Sequence, residues 1–365
     1  KTSLGDIYDC GDFHKTYEDC LATGDHAGFG ARRKSARKSG KILGVGTSNT
    51  ITGVATTNFE HVEVRFDTSG AITLLCGAMD HGQGHGTTFK QVLAHKLGID
   101  GGNIRYRYGD TDKVATGVGT FNARCAVFVG SAVSIAADKI IAKGSRIAAH
   151  LLEAADDDIE FADGSFTVAG TDRSISLEQV AKAAFQKPRL PADIEPGLYE
   201  HGEFGMGVDG APTFTNGSHM AEVEIDSDTG KVSLVRYSAV DDAGTILNPL
   251  LFDGQVHGGI AQGVGQILME DIHYDRDSGQ LLTGSFMDYC MPRADDFCDF
   301  QLTALEIPTD RNPLGVKGVG ESGTVGAMPA VMNAVNDALH SVGAPAIEMP
   351  ATHEKVWRAL REATG

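Results

Sequence analysis

What the sequence lacks narrows its chemistry. Its six cysteines, at positions 10, 20, 76, 125, 290 and 298, form no C-x-x-C and have no zinc or iron–sulfur ligand spacing. A disulfide framework does not suit a chain of 365 residues with 46 glycines, so reduced thiols and a cytoplasmic setting are expected. No apolar run approaches the roughly 18–20 residues of a membrane helix, so no membrane association is expected. The opening residues K-T-S-L-G-D-I-Y-D carry no apolar signal region. There is no initiator methionine either, so a processed subunit or a piece of a longer protein is expected. Positive charge is scarce: 31 Lys and Arg stand against 49 Asp and Glu, a net charge of −18, which argues against a nucleic-acid partner. The single basic cluster, Arg32 to Lys41, is followed by no aromatic stacking residues and reads as a solvated helix face or a contact with an acidic partner.

What is present is glycine, gathered into loops that lead towards helical patterns. The clearest runs from Leu314 to Asn336, where five glycines between Gly315 and Gly326 surround one carboxylate, Glu321. After it Val331, Val335, Leu339 and Val342 recur at helical spacing and predict one buried face. Such a loop leaves backbone N–H groups unpaired at the helix start, and an acid there is favoured by the positive end of the helix dipole. Glu321 is therefore a candidate general base, or merely a favourable first-turn charge.

Two further stretches share a plan. H-V-E-V-R-F-D-T-S-G-A-I-T-L-L reads as a hairpin, followed by Gly82-Gln83-Gly84 and a helix ending at Gly98. M-A-E-V-E-I-D-S-D-T-G-K-V-S-L-V reads as a second hairpin, and D-G-Q-V-H-G-G-I-A-Q-G as a second Gly/Gln-rich helix entry, suggesting an internal duplication. Elsewhere Ile104–Tyr108, Leu281–Tyr289 and Leu302–Ile307 suggest strands, and Ala126 to about Glu153 and Ala351–Ala363 suggest helices. Strands and helices mix without βαβ alternation, which predicts an α+β fold. The expected domains are a helical lead-in over 1–41, a first α+β unit over 42–158, a crossover over 159–200 and a second unit over 201–365.

Of two G-x-G-x-x-G matches, Gly205–Gly210 leads into Ala-Pro-Thr and not a helix, while Gly318–Gly323 follows P-T-D-R-N-P-L and not a strand, so neither has both flanks of a dinucleotide fingerprint, and the second would aim Glu321 at a pyrophosphate. A nicotinamide-dependent oxidoreductase is thus the weaker alternative. The loops instead supply amides, a hydroxyl, a guanidinium and backbone N–H groups through Gln83, Thr120, Arg124, Gln262, Glu321 and Ser322, a kit for a large polar ligand with phosphates and heterocyclic edges. His81 and His85 flank Gln83 without a third metal ligand nearby and read as loop or supporting residues.

The motifs G-Q-G-H-G-T-T-F, G-V-G-T-F-N-A-R-C, D-G-Q-V-H-G-G-I-A-Q-G, G-S-F-M-D-Y-C-M-P-R and G-V-K-G-V-G-E-S-G resemble, in order, the xanthine dehydrogenase/aldehyde oxidase family. The resemblance is to the C-terminal molybdopterin-binding portion of the large subunit, on the branch that includes carbon monoxide dehydrogenases. It implies a molybdopterin cofactor, in the cytosine dinucleotide form, with oxo and sulfido ligands on molybdenum. It also implies a molybdenum hydroxylase acting on an aldehyde or N-heterocycle, with water as oxygen donor and Glu321 as the base that deprotonates a metal-bound hydroxyl. Cofactor contacts are implied at Gly82, Gln83, Gly84, Thr120, Ala123, Arg124, Cys125, Gln262, Gly320 and Ser322. Implied partners are the N-terminal half of the large subunit, an iron–sulfur subunit and an FAD subunit, neither cluster nor flavin being held by this chain. Where the family commonly has Ser-Arg-Ser, this chain has Ala123-Arg124-Cys125, which removes two hydroxyls and leaves a non-catalytic binding module as the alternative.

Overall fold

The computed structural model describes residues 2–3, 5–54, 59–205 and 212–364. Its helices are α1 (Phe13–Thr23), α2 (Phe29–Lys38), α3 (His85–Leu97), α4 (Cys125–Leu152), α5 (Leu177–Ala183), α6 (Pro249–Leu268), α7 (Ser322–His340) and α8 (His353–Thr364). The strands are β1 (Lys41–Val54), β2 (Phe59–Phe66), β3 (Ile72–Cys76), β4 (Ile104–Tyr108), β5 (Ile159–Ala162), β6 (Ser165–Val168) and β7 (Ser174–Ser176), then β8 (Tyr199–Gly205), β9 (Thr213–Asp226), β10 (Val232–Asp242) and β11 (Phe300–Leu305). The fold is α+β, as expected. Two units emerge, and neither is continuous in sequence. The first comprises Lys1–Gly53, Phe214–Pro308 and Val319–Gly365; the second, Val54–Thr213 and Thr309–Gly318.

In the first unit the sheet order is β1-β9-β10-β11. The β9–β10 hairpin turns on Asp226, whose carboxylate accepts from the N–H groups of Asp228 at 3.1 Å and Thr229 at 3.0 Å. After β10 the chain passes through α6 and returns as β11, parallel to β10. Val256, Ile260 and Val264 of α6 and Ala327, Val331 and Ala334 of α7 share one buried core with Val223 and Ala239 of the hairpin.

In the second unit the order is β4-β3-β2-β8. The β2–β3 hairpin turns on Asp67, which accepts from Ser69 N–H at 2.8 Å, and β4 returns parallel to β3 after α3. Helix α4 packs on β2 and β8 through residues such as Phe128, Ala132 and Ala136, all fully buried. Each unit is therefore a hairpin, a crossover helix and a parallel return strand, with a fourth strand beside the hairpin's first. The duplication read in the sequence is a duplication of topology.

Several expectations are corrected. The lead-in expected over 1–41 is not separate from the first unit: α1 packs on β10, Cys20 is buried with Met220 and Val240, and Arg32 pairs with buried Glu222. The boundary expected at 42 fails because β1 joins the β9 sheet. The crossover of 159–200 holds a three-stranded sheet, β5-β6-β7, and α5 with a Ser176/Gln179 capping box. The second unit of 201–365 loses β8 and residues 309–318 to the other body. Leu281–Tyr289 forms no strand, only an isolated bridge from Leu281 to Tyr274. Val342 lies past the end of α7 and is 41% exposed, so the predicted face ends at Leu339. Among the described residues one helix, α4, is long and apolar enough to cross a membrane by length and composition, contrary to the reading of the sequence, but two-thirds of that window is buried, as befits a core helix. The first G-x-G-x-x-G match falls largely outside the described residues.

Candidate functional site

The second unit brings seven candidates, Gly82, Gln83, Gly84, Thr120, Ala123, Arg124 and Cys125, onto two adjoining loops and the start of α4. After β3, Gly82 and Gly84 take φ +117° and +79°, a path that L-residues rarely follow, and deliver the chain to α3. Asp80 braces the turn, accepting from Gly82 N–H at 3.2 Å and Gly86 N–H at 3.1 Å. Gln83 folds back on its own loop: its Oε1 accepts from His81 N–H at 2.8 Å and its Nε2 donates to the Met79 carbonyl at 3.2 Å. The same carbonyl accepts from the Thr120 hydroxyl at 2.6 Å, which ties the second loop to the first. Two expected ligand donors thus build the loops, although one N–H of the Gln83 amide is not committed by these bonds.

Arg124 is fully buried, the largest side chain to be so among the described residues, and offers its charge to Glu60 rather than to solvent. Cys125 donates to Thr120 Oγ1 at 3.4 Å, and burial pushes its thiol up to about 11, so it acts here as a neutral hydrogen-bonding group. Ala123 sits at φ +47°, and the space beside its carbonyl is filled by Gly318, where a Cβ would lie 1.9 Å from that oxygen. His85 is buried beneath the first loop. Burial lowers its pKa to about 4 against the pull of Asp80, so it is neutral at physiological pH and its Nδ1 has no partner.

The first unit holds the other candidates. Glu321 is the N-cap residue of α7, is exposed, and makes no side-chain cap bond to its own helix. Gly320 before it is exposed, and Ser322 after it is buried with its N–H donated to Val319 at 3.1 Å. Gln262 does not lie in a loop at a helix entry, as the sequence suggested, but near the middle of α6. It is exposed there, and its Oε1 is 3.3 Å from the Thr324 hydroxyl of α7. The entry to α6 is capped conventionally by Asn248, which accepts from Leu251 N–H at 3.0 Å. Gly259 and Gly323 serve a different end: a Cβ on Gly259 would come within 2.9 Å of the Gly323 Cα, so these glycines let α6 and α7 touch.

Capping divides the helices. Asp12, Ser176 and Asn248 cap α1, α5 and α6, whereas Gly28, Gly84, Arg124 and Glu321 provide no side-chain cap for α2, α3, α4 and α7. Asp80 takes one N–H of α3 from upstream. The starts of α4 and α7 keep the donor-rich, positive character that accepts phosphate and heterocyclic oxygen. In each unit by itself these donors, mainly backbone with a few amides, are of the kind that suits a phosphate-bearing pterin. Among the described residues no group of three or more His, Cys, Asp or Glu could hold a metal ion.

Sequence reasoning missed Glu60 because an acid within an alternating strand reads as solvent-facing. It also missed a buried cluster in the first unit, where His219 lies 2.7 Å from the Tyr237 hydroxyl and 3.3 Å from Asp241. Burial drives the Tyr237 hydroxyl well above its ordinary pKa, so it stays protonated.

Residues 19–298 match the family model described as a molybdopterin cofactor-binding domain. The chain is 39% identical over 372 residues to the nicotine 6-hydroxylase large subunit of Paenarthrobacter nicotinovorans, covering 98% of this chain and 45% of that one. It is 32% identical over 381 residues to the carbon monoxide dehydrogenase large chain of Hydrogenophaga pseudoflava, covering 99% and 46%. Among solved structures, quinoline 2-oxidoreductase from Pseudomonas putida 86 superposes with a TM-score of 0.90 at 33% identity, over 99% of this chain and 47% of that one. The chain thus spans about half the length of the relatives it matches. With the family model covering most of its length, and the whole α+β fold shared with these proteins, the chain belongs to the molybdopterin cofactor-binding domains of the xanthine dehydrogenase/aldehyde oxidase family, on the branch of the carbon monoxide dehydrogenase large chains.

Proposed function

We propose that this chain is the cofactor-binding, base-bearing part of a molybdenum hydroxylase that oxidises an N-heterocycle or an aldehyde with water as oxygen donor. The observation that carries this is Glu321: an exposed carboxylate, uncommitted to its helix, at the uncapped start of α7. A carboxylate so placed can take a proton from a group docked against the helix terminus without breaking a structural bond. When bound, a molybdopterin cofactor would supply the redox chemistry. Taken unit by unit, the cofactor contacts proposed in the second are Gly82, Gly84 and the Thr120–Cys125 loop, and those proposed in the first are Gln262, Gly320 and Ser322. Gln83, Ala123 and Arg124 would act through loop conformation, with the uncommitted Gln83 N–H free to donate. The form proposed for that cofactor is the cytosine dinucleotide.

The nicotine- and quinoline-acting relatives support an N-heterocyclic substrate. A carbon monoxide oxidoreductase is the second reading, favoured by the likeness to carbon monoxide dehydrogenase large chains. Electrons would pass to iron–sulfur and FAD subunits, alongside the remainder of the large-subunit polypeptide. Six cysteines without a disulfide framework suit a reducing, cytoplasmic setting. The test is Glu321→Gln in the full-length protein, purified with every chain that accompanies it. The variant should keep its pterin and lose turnover by about two to four orders of magnitude. Near-normal turnover of N-heterocycles, aldehydes or carbon monoxide would remove the base from the mechanism.

A further inference from the structure

We infer that the buried Glu60–Arg124 pair is the positioning element of the Gly117–Cys125 loop, and that cofactor retention depends on Glu60 beyond what folding requires. This rests on the cofactor-binding reading above and deepens it.

Glu60 is on β2 and fully buried. One oxygen, Oε1, takes three donors: Val118 N–H at 3.1 Å, Gly119 N–H at 3.0 Å and Arg124 Nη1 at 2.5 Å. Arg124 then donates to the Gly119 carbonyl at 2.7 Å and to the Phe59 carbonyl at 2.9 Å. Its guanidinium lies 4.8 Å from the centre of the Phe128 ring and 5.3 Å from that of Phe121. One carboxylate oxygen and one guanidinium therefore clamp the loop at both ends. Between the clamped ends Asn122 and Ala123 take φ +52° and +47°, a conformation that non-glycine residues hold only where the surroundings impose it.

The pair is a poor device for stability alone. Both side chains are desolvated, and Glu60 Oε2 and Arg124 Nε have no hydrogen-bond partner. An apolar pair of similar volume often serves a core equally well or better. What an apolar pair cannot do is accept the Val118 and Gly119 N–H groups. Because Arg124 is buried and neutralised, the loop presents backbone and the start of α4 to a ligand instead of a cation. Glu60 is thus a positioning residue that acts through the loop.

The test uses the full-length protein with its accompanying chains, as Glu60→Gln and as the paired Glu60→Leu/Arg124→Met. Melting temperature, pterin per chain released by oxidation, and hydrogen exchange of the 117–125 amides are read together. The paired variant is expected to melt within about 5 °C of the unaltered protein. It should nevertheless retain about tenfold less pterin, with faster exchange at Val118 and Gly119. Wild-type pterin content with protected amides in that variant would overturn the proposal. Should the paired variant not fold, Glu60→Gln decides alone: faster exchange at Val118 and Gly119 with the β2–β3 amides unchanged, together with reduced pterin, supports the role, and unchanged pterin refutes it. If the unaltered protein carries no pterin, the cofactor-binding reading fails. The exchange result then still tells whether Glu60 sets the loop.

Discussion

The two units share a topology and an appetite for glycine, yet they use the residue for different ends. In the second unit Gly82 and Gly84 bend the backbone through positive φ, so that β3 can reach α3 within a short loop. In the first, the glycines of the corresponding stretch lie inside α6, and Gly259 and Gly263 meet Gly323 and Ala327 of α7. The i, i+4 spacing on both helices puts small residues on one ridge, where the backbones can approach. One composition therefore encodes a turn in one place and a contact in the other. Spacing separates them: G-x-G for the turn, four-residue steps for the helix face.

Acid should separate the units most. His85 in the second unit has a folded pKa of about 4, against 6.5 when free. As pH falls below 6.5 the unfolded chain takes up this proton and the folded one does not, so stability is lost between pH 6.5 and 4 and not further below. The most this group can contribute is about 3 kcal/mol. Urea unfolding of His85→Gln at pH 7 and pH 4 should show a correspondingly smaller loss than the unaltered protein, and an equal loss would show that His85 is not the sensor.

Alanine and asparagine should rank oppositely at the two kinds of glycine. At Gly323 a Cβ would lie 2.4 Å from the Val256 carbonyl, so Ala costs about 1–3 kcal/mol by overpacking and the larger Asn costs more. At Gly84, with φ +79° and ψ 28°, Asn tolerates the left-handed backbone better than Ala, which loses about 1–2 kcal/mol. Thermal unfolding of the four variants checks this. The same order at both sites would erase the distinction.

The smallest difference concerns the two amides. Gln83→Ala removes two loop hydrogen bonds and should cost about 1–2 kcal/mol, with faster exchange at His81. Gln262→Ala, exposed on α6, should change stability by less than about 0.5 kcal/mol while lowering pterin content. Pterin content unchanged in Gln262→Ala would withdraw that residue from the site.

Elements governed by local pattern were legible. Ile104–Tyr108 is β4 to the residue, and α4 spans Cys125–Leu152 against an expected Ala126 to about Glu153, because helix periodicity and strand punctuation act over a few residues. Leu281–Tyr289 misled because an apolar segment becomes a strand only if a neighbour offers its ladder, and here Leu282, Phe286 and Met287 are left exposed. In the site, Glu321 at a helix start followed from the glycine loop and the helical period after it. The side chains of Gln83 and Thr120 did not, since their partner, the Met79 carbonyl, depends on how two loops meet.

The sequence by itself determined the α+β character, the two hairpin-and-helix units, the glycine loops and the carboxylate at the head of α7, all properties of short windows. Tertiary structure decided that β1 completes a sheet with β9, that a strand acid at 60 is buried, and that Arg124 turns inward to it. Those outcomes join residues 64 or more positions apart, as with Glu60 and Arg124, and no local preference specifies them. A charge inside a strand reads as solvent-facing until the fold supplies the opposite charge and the backbone donors that make its burial tolerable.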